Sequence, residues 1–171
     1  MAEKTDAALA LPRFETPPRV LMIAAPFYRD IADALIAGAR AALAKAGAEA
    51  DLLEVPGALE IAPAIRFAAK GARYDGFVAL GCVIRGATTH YELVCEESAR
   101  GITLLGVQRG LCVGNGILTV ENRAQAEERA DPAQMNKGGG AAEACLHLIA
   151  IERQFEDGRP SVRPDDHILM A

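Results

Sequence analysis

Residues 76–84 form an uninterrupted apolar run that ends abruptly at Arg85 and Gly86. A run of this length and composition is typical of a strand that is buried on both faces of a parallel sheet. A helical spacing of apolar residues follows at about residues 90–110. This stretch therefore predicts a strand, a tight turn and a helix in succession, which is the repeating unit of α/β proteins.

The same succession of strand and helix recurs along most of the chain. Strands are predicted at residues 19–25, 50–55, 76–84 and 111–119. Helical patterns lie at residues 30–46, 59–70, 90–110, 121–130 and 141–155. Strands that alternate with helices form a parallel sheet through right-handed crossovers, and the helices cover both of its faces. The sequence therefore predicts an α/β fold, namely a three-layer αβα sandwich around a central four-stranded parallel sheet.

Four local features are expected near element boundaries. Asp30 is predicted to cap the first helix, and Pro63 to lie within about the first turn of the second. Thr89 and Glu92 have the spacing of a capping box at the start of the third helix. The stretch 131–140, which ends in three successive glycines, is predicted to be a loop.

The chain is predicted to form one domain. Its 171 residues and hydrophobic content of 51% fit a single sizeable core. Residues 19–155 are expected to form this domain. Residues 1–18, which contain three prolines, are predicted to be an arm or an added edge strand, and residues 156–171 a mobile C-terminal tail.

Charge and cysteine usage argue against several classes of protein. A net charge of −5 disfavours a general nucleic-acid or anionic-membrane surface. No apolar run approaches the length of a membrane span, and the N-terminus has no signal-peptide pattern. The four cysteines show neither CxxC nor Cys/His spacing. A reducing, cytoplasmic setting without a metal is therefore expected.

Chemically useful side chains are expected where the strands end, because parallel sheets bind ligands at the carboxyl ends of their strands. The turn after residues 76–84 leads into a helix N-terminus, whose free N–H groups and positive dipole end suit an anion such as phosphate. The side chains that offer a stacking face, an acceptor, a proton carrier and fixed positive charge are Phe27, Glu60, His90, Arg129 and Lys137. Each has an ordinary structural alternative, as a core aromatic, a first-turn carboxylate or a solvated surface group.

Four motifs resemble those of the 6,7-dimethyl-8-ribityllumazine synthase family. They are PGALEI at 56–61, GCVIRGATTHY at 81–91, GILTVEN at 116–122 and NKG at 136–138, in the family's order and spacing. The resemblance implies a flavodoxin-like fold and a transferase that needs neither metal nor organic cofactor. The family condenses 5-amino-6-(D-ribitylamino)uracil with 3,4-dihydroxy-2-butanone 4-phosphate and releases phosphate and water, in the penultimate step of riboflavin biosynthesis.

The resemblance also implies a role for each matched residue. The residues that would hold the pyrimidine and its ribityl chain are Phe27, Ala58, Leu59, Glu60, Cys82, Val83, Ile84 and Lys137. The phosphate would be received by Ala87 and Thr88 and clamped by Arg129, and His90 would transfer protons. Asn115 departs from the pattern, since many relatives have an aromatic residue there that reaches the substrate of the neighbouring subunit.

Assembly and two alternative functions follow from the same resemblance. Similar enzymes build their sites between neighbouring subunits of a pentamer, and some assemble pentamers into a hollow icosahedral shell. A homopentamer is therefore expected, with a larger shell left open and riboflavin synthase as a candidate partner. The alternatives are a weakly catalytic relative that binds a flavin or lumazine, and a shell subunit that encapsulates a partner enzyme.

Overall fold

The computed structural model describes residues 9–156. Residues 1–8 of the predicted arm and residues 157–171 of the predicted tail lie outside the described residues. The strands are β1 (Arg19–Ala24), β2 (Glu49–Glu54), β3 (Gly76–Ile84) and β4 (Cys112–Val120). The helices are α1 (Arg29–Lys45), α2 (Ala58–Ala68), α3 (His90–Arg109), α4 (Arg123–Ala130) and α5 (Lys137–Glu156), with a 3-10 turn at Ala69–Gly71. Among these helices, none combines the length and the apolar character that a membrane crossing requires.

The strands form one parallel sheet in the order β2-β1-β3-β4. Helices α1, α4 and α5 pack on one face, where they enclose Val20 and Met22 of β1. Helices α2 and α3 pack on the other face, against Leu21 and Ile23. Alternate residues of β1 thus serve two cores, which is why the strand is apolar from Val20 onward. The predicted three-layer αβα sandwich is confirmed, and its strand order begins as in the flavodoxin-like class.

Helix α5 begins earlier than predicted. Residues 131–140 are not all a loop, because Lys137 already starts the helix and the three glycines lie within it. A Cβ on Gly138 would lie 2.1 Å from the carbonyl oxygen of Leu35 in α1. The missing side chain therefore allows the backbones of two helices to approach closely, and it does not indicate a loop.

Two expectations about helix starts are wrong. Asp30 does not cap α1, because Tyr28 occupies the N-cap position and makes no side-chain cap hydrogen bond. Asp30 lies in the first turn instead, where its carboxylate pairs with Arg123. Pro63 lies inside α2, beyond the first turn. A proline there leaves the carbonyl group of Leu59 without its helical donor.

Candidate active site

A cleft of about 400 Å³ opens at the carboxyl ends of β1 and β3, between the N-termini of α2 and α3. Its walls come from the segment after β1, the start of α2, the end of β3 and the first two turns of α3. The predicted site residues that line it are Phe27, Ala58, Leu59, Glu60, Cys82, Val83, Ile84, Thr88 and His90. Parallel sheets bind ligands at this edge, so the cleft is the candidate active site.

Four predicted site residues do not line the cleft. Ala87 lies within the loop that forms part of its wall. Asn115 is exposed midway along the edge strand β4. Arg129 lies in the last turn of α4 and Lys137 begins α5, and these helices cover the opposite face of the sheet from α2 and α3. A single chain therefore brings Phe27, Glu60 and His90 together in the cleft. The two predicted cations, Arg129 and Lys137, lie elsewhere in the same chain.

The ring of Phe27 is open to the cleft. Phe27 is 75% exposed, and its ring contacts that of Tyr28 edge to face with the centroids 5.1 Å apart. The structure thus contradicts the alternative that Phe27 is a core residue. An aromatic face that is left open suits stacking on a flat heterocycle.

Glu60 offers a free carboxylate at the start of α2. It is exposed in the first turn and makes no ion pair or side-chain hydrogen bond within the described residues. Its backbone N–H donates to the carbonyl oxygen of Gly57 at 3.2 Å, which fixes the turn that presents it. Both carboxylate oxygens therefore remain free to accept hydrogen bonds from hydroxyl groups of a ligand.

The loop between β3 and α3 carries unpaired backbone donors. The N–H groups from Gly86 to His90 have no hydrogen-bond partner among the described residues. The predicted capping box is wrong, because the Thr89 hydroxyl makes no cap hydrogen bond and the Glu92 carboxylate binds Arg85. Thr89 already has helical backbone angles (φ −66°, ψ −3°), whereas a side-chain cap normally has an extended backbone. The free donors and the positive end of the α3 dipole together suit a bound anion.

The sequence of this chain is similar to known proteins over most of its length. A family model described as 6,7-dimethyl-8-ribityllumazine synthase matches residues 17–153. The chain belongs to this family. Relatives named 6,7-dimethyl-8-ribityllumazine synthase include that of Jannaschia sp. (strain CCS1), 53% identical over 91% of this chain and 86% of the relative. Another, from Bartonella tribocorum, is 54% identical over 83% of this chain and 95% of the relative.

The cysteine in the cleft of this lumazine synthase family member is not suited to act as a nucleophile. Burial raises the pKa of the Cys82 thiol to about 11, so the thiol stays protonated near neutral pH. Its side chain belongs to the core beneath α1, which leaves the backbone as the part that a ligand can contact. Among the described residues, no group of three or more His, Cys, Asp or Glu side chains could hold a metal ion.

Sequence reasoning missed several residues that line the cleft of this lumazine synthase family member. They are Ala25, Tyr28, Tyr91 and Val94, whereas Gly57 and Gly86 lie in turns at strand ends, where the site was expected. Helical spacing could have found two of them, because Val94 lies four residues after His90 on the same face of α3 and Tyr91 lies three residues before Val94. The others lie in turns, where no periodic pattern distinguishes a residue that faces the cleft.

Proposed function

We propose that this chain is a 6,7-dimethyl-8-ribityllumazine synthase, a transferase that acts without a cofactor. It condenses 5-amino-6-(D-ribitylamino)uracil with 3,4-dihydroxy-2-butanone 4-phosphate and releases phosphate and water, in the penultimate step of riboflavin biosynthesis. One observation carries the proposal. A single cleft joins an open aromatic ring, a free carboxylate, a loop of unpaired donors and His90, in a chain whose residues 17–153 match the family.

The aromatic end of the cleft supports binding of the pyrimidine substrate. Phe27 stacks on the pyrimidine ring with its open face. Backbone groups of residues 82–84, where β3 ends, hydrogen-bond the polar edge of that ring. The start of α2 holds the ribityl chain, since Ala58 and Leu59 line the cleft there and the Glu60 carboxylate can accept hydrogen bonds from the ribityl hydroxyls.

The α3 end of the cleft supports phosphate binding and proton transfer. Ala87 and Thr88 receive the phosphate among the unpaired N–H donors of the loop. His90, exposed in the first turn of α3, moves protons as an amine adds to the ketone, water and phosphate leave, and a second amine closes the ring. An imidazole suits these steps because it can give or accept a proton near neutral pH. Holding two small substrates in one cleft contributes proximity.

The active form is a homopentamer in which a neighbouring subunit completes each cleft. Arg129 and Lys137, which would clamp the phosphate and help to hold the ribityl chain, lie on the far side of the sheet from the cleft of their own chain. Within the described residues Lys137 makes no ion pair, and Arg129 approaches one carboxylate, that of Glu128, at 3.5 Å. These charges are therefore available to a second copy. Asn115, exposed on the edge strand, would reach the same neighbour in place of an aromatic residue.

The cysteines support the expected cytoplasmic setting. All four are free, and Cys82, Cys112 and Cys145 are buried. Free buried thiols are usual in proteins of reducing compartments. Riboflavin synthase stays a candidate partner on the family resemblance alone.

The purified protein is expected to form 6,7-dimethyl-8-ribityllumazine and phosphate in equal amounts from the two substrates. Product fluorescence and a phosphate assay, recorded on the same reaction, measure both. Reactions that lack either substrate are the controls. A folded protein that binds the lumazine product but does not form it would favour a binding protein over a synthase.

Mixed assemblies of the His90→Ala and Arg129→Ala variants are expected to recover activity that neither variant has alone. In an evenly mixed ring, about one quarter of the clefts combine an intact His90 with an intact Arg129 from the neighbour. Co-expression of two differently tagged chains, followed by tandem purification and the product assay, measures the recovery. Each variant expressed alone with both tags is the control. Mixed assemblies without recovery would show that each cleft does not take its arginine from a neighbour.

A further inference from the structure

The side chain of Arg85 joins three elements beside the cleft. Its backbone N–H still belongs to the sheet and donates to the carbonyl oxygen of Val120 at 2.9 Å. Its Nε lies 2.6 Å from a carboxylate oxygen of Glu121, just after β4, and its Nη1 binds Glu92 in the first turn of α3. The guanidinium carbon lies 4.2 Å from the centroid of the Tyr91 ring, which lines the cleft. Arg85 therefore ties the end of β4 to the start of α3.

These contacts leave Arg85 poorly suited to bind a substrate anion itself. Two carboxylates already occupy its guanidinium. Arg85 holds the pKa of Glu92 below its usual range, so this partner stays ionised at neutral pH. A phosphate would have to displace a carboxylate or approach the guanidinium against two negative charges. The cation at this end of the cleft is thus engaged in a structural contact.

The loop that follows Arg85 has little else to hold it. Residues 86–89 are exposed, and their backbone N–H groups are unpaired among the described residues. Thr89 does not cap the helix. Arg85 begins the loop, and its two contacts in the first turn of α3, Tyr91 and Glu92, lie just past the end of it. The guanidinium therefore bridges the two ends of the loop and fixes their separation.

We propose that Arg85 is a positioning residue, which holds residues 86–89 and His90 in the geometry that receives the phosphate and transfers the proton. The inference rests on the proposed function, since it names what keeps that site in place. A displacement of about 1 Å in such a site can lower the rate on the order of 10²-fold. A forked, stacked guanidinium fixes the geometry in a way that the flexible ammonium of lysine does not.

Three variants test the proposal by steady-state kinetics, with each substrate varied in turn. Arg85→Ala is expected to lower kcat by about tenfold to a hundredfold and to raise the KM for the phosphate substrate, with little change in the KM for the pyrimidine substrate. Arg85→Lys keeps the charge but not the fork, and it is not expected to restore kcat. Glu121→Gln weakens the ion pair that anchors the Arg85 guanidinium to the end of β4. It is therefore expected to raise the KM for the phosphate substrate, as Arg85→Ala does.

The Glu121→Gln variant separates positioning from direct binding. If Arg85 bound the phosphate itself, loss of a competing carboxylate would free the guanidinium and lower the KM for the phosphate substrate. Any one of three results would overturn the proposal. They are a lowered KM for the phosphate substrate in Glu121→Gln, full activity in Arg85→Lys, and unchanged kinetics in Arg85→Ala. Should Arg85→Ala not fold, the other two variants decide the question by the same criteria.

Arg100→Ala is the matched control. Arg100 is an exposed arginine on α3 that pairs with Glu97 and does not line the cleft. This variant is expected to keep wild-type kinetics. That result would show that losing an arginine–glutamate pair elsewhere on this helix does not by itself impair the reaction. The wild-type protein is assayed alongside. Absence of turnover in the wild type would overturn the proposed function, whereas an active wild type with unaffected Arg85 variants would overturn only the positioning role.

Discussion

We expect the Gly138→Ala variant to lose about 3 kcal/mol of unfolding free energy, or to fail to fold. A Cβ at this position would lie 2.1 Å from the carbonyl oxygen of Leu35 and 2.8 Å from its carbonyl carbon. Both atoms belong to the backbone of α1, so no side-chain rotation can relieve the contact. The helices α1 and α5 would have to separate, which would loosen the close-packed core between them. Urea denaturation measures the loss.

Gly140→Ala is the matched control for this prediction. Gly140 lies two residues further along α5, and an added Cβ would meet nothing within 4 Å. Alanine is the better helix former, so this variant is expected to gain about 0.5 kcal/mol. Equal stability of the two variants would contradict the close approach of α1 and α5 at Gly138.

The central strand and its helix could be predicted almost to the residue. The predicted bounds of β3, residues 76–84, are those of the structure. A strand that is buried on both faces must be apolar at nearly every position, so the sequence marks where it begins and ends. Helix α3 begins at His90, where the Thr89 and Glu92 spacing predicted its start, although the capping box itself does not form.

The start of α5 could not be predicted from local sequence. Three successive glycines are typical of a loop. The structure gives the reason for them, because Gly138 lies against the backbone of Leu35, about a hundred residues earlier in the chain. Asn136 adds a cap that the sequence pattern did not reveal, since its Oδ1 accepts a hydrogen bond from the N–H of Gly139 at 3.1 Å.

The candidate site was only partly predictable, for a similar reason. Chain order and the strand-end rule suffice to place Phe27, Glu60 and His90 at one edge of the sheet, and the structure brings all three into one cleft. The capping box was wrong because Arg85 competes for the Glu92 carboxylate. The second partner of Arg85 is Glu121, 36 residues away, and no local pattern indicates that pairing.

We expect the His90→Ala variant to lose on the order of 10²-fold in kcat while the KM for each substrate changes little. The side chain is exposed and makes no hydrogen bond or ion pair within the described residues, so its removal leaves the fold intact. Alanine is also favourable at the start of a helix. Product fluorescence and phosphate release at varied substrate concentrations measure the effect. His147→Ala, which removes an imidazole from α5 outside the cleft, is the control.

A role for His90 in proton transfer predicts more than a slower reaction. The exposed position leaves room for free imidazole, so added imidazole should restore part of the kcat of His90→Ala but not of Arg129→Ala. A raised KM for the phosphate substrate with unchanged kcat would instead show that His90 holds the phosphate. If neither kcat nor KM changes in His90→Ala, the reacting groups exchange their protons with solvent. Catalysis then rests on the proximity of the two substrates in the cleft.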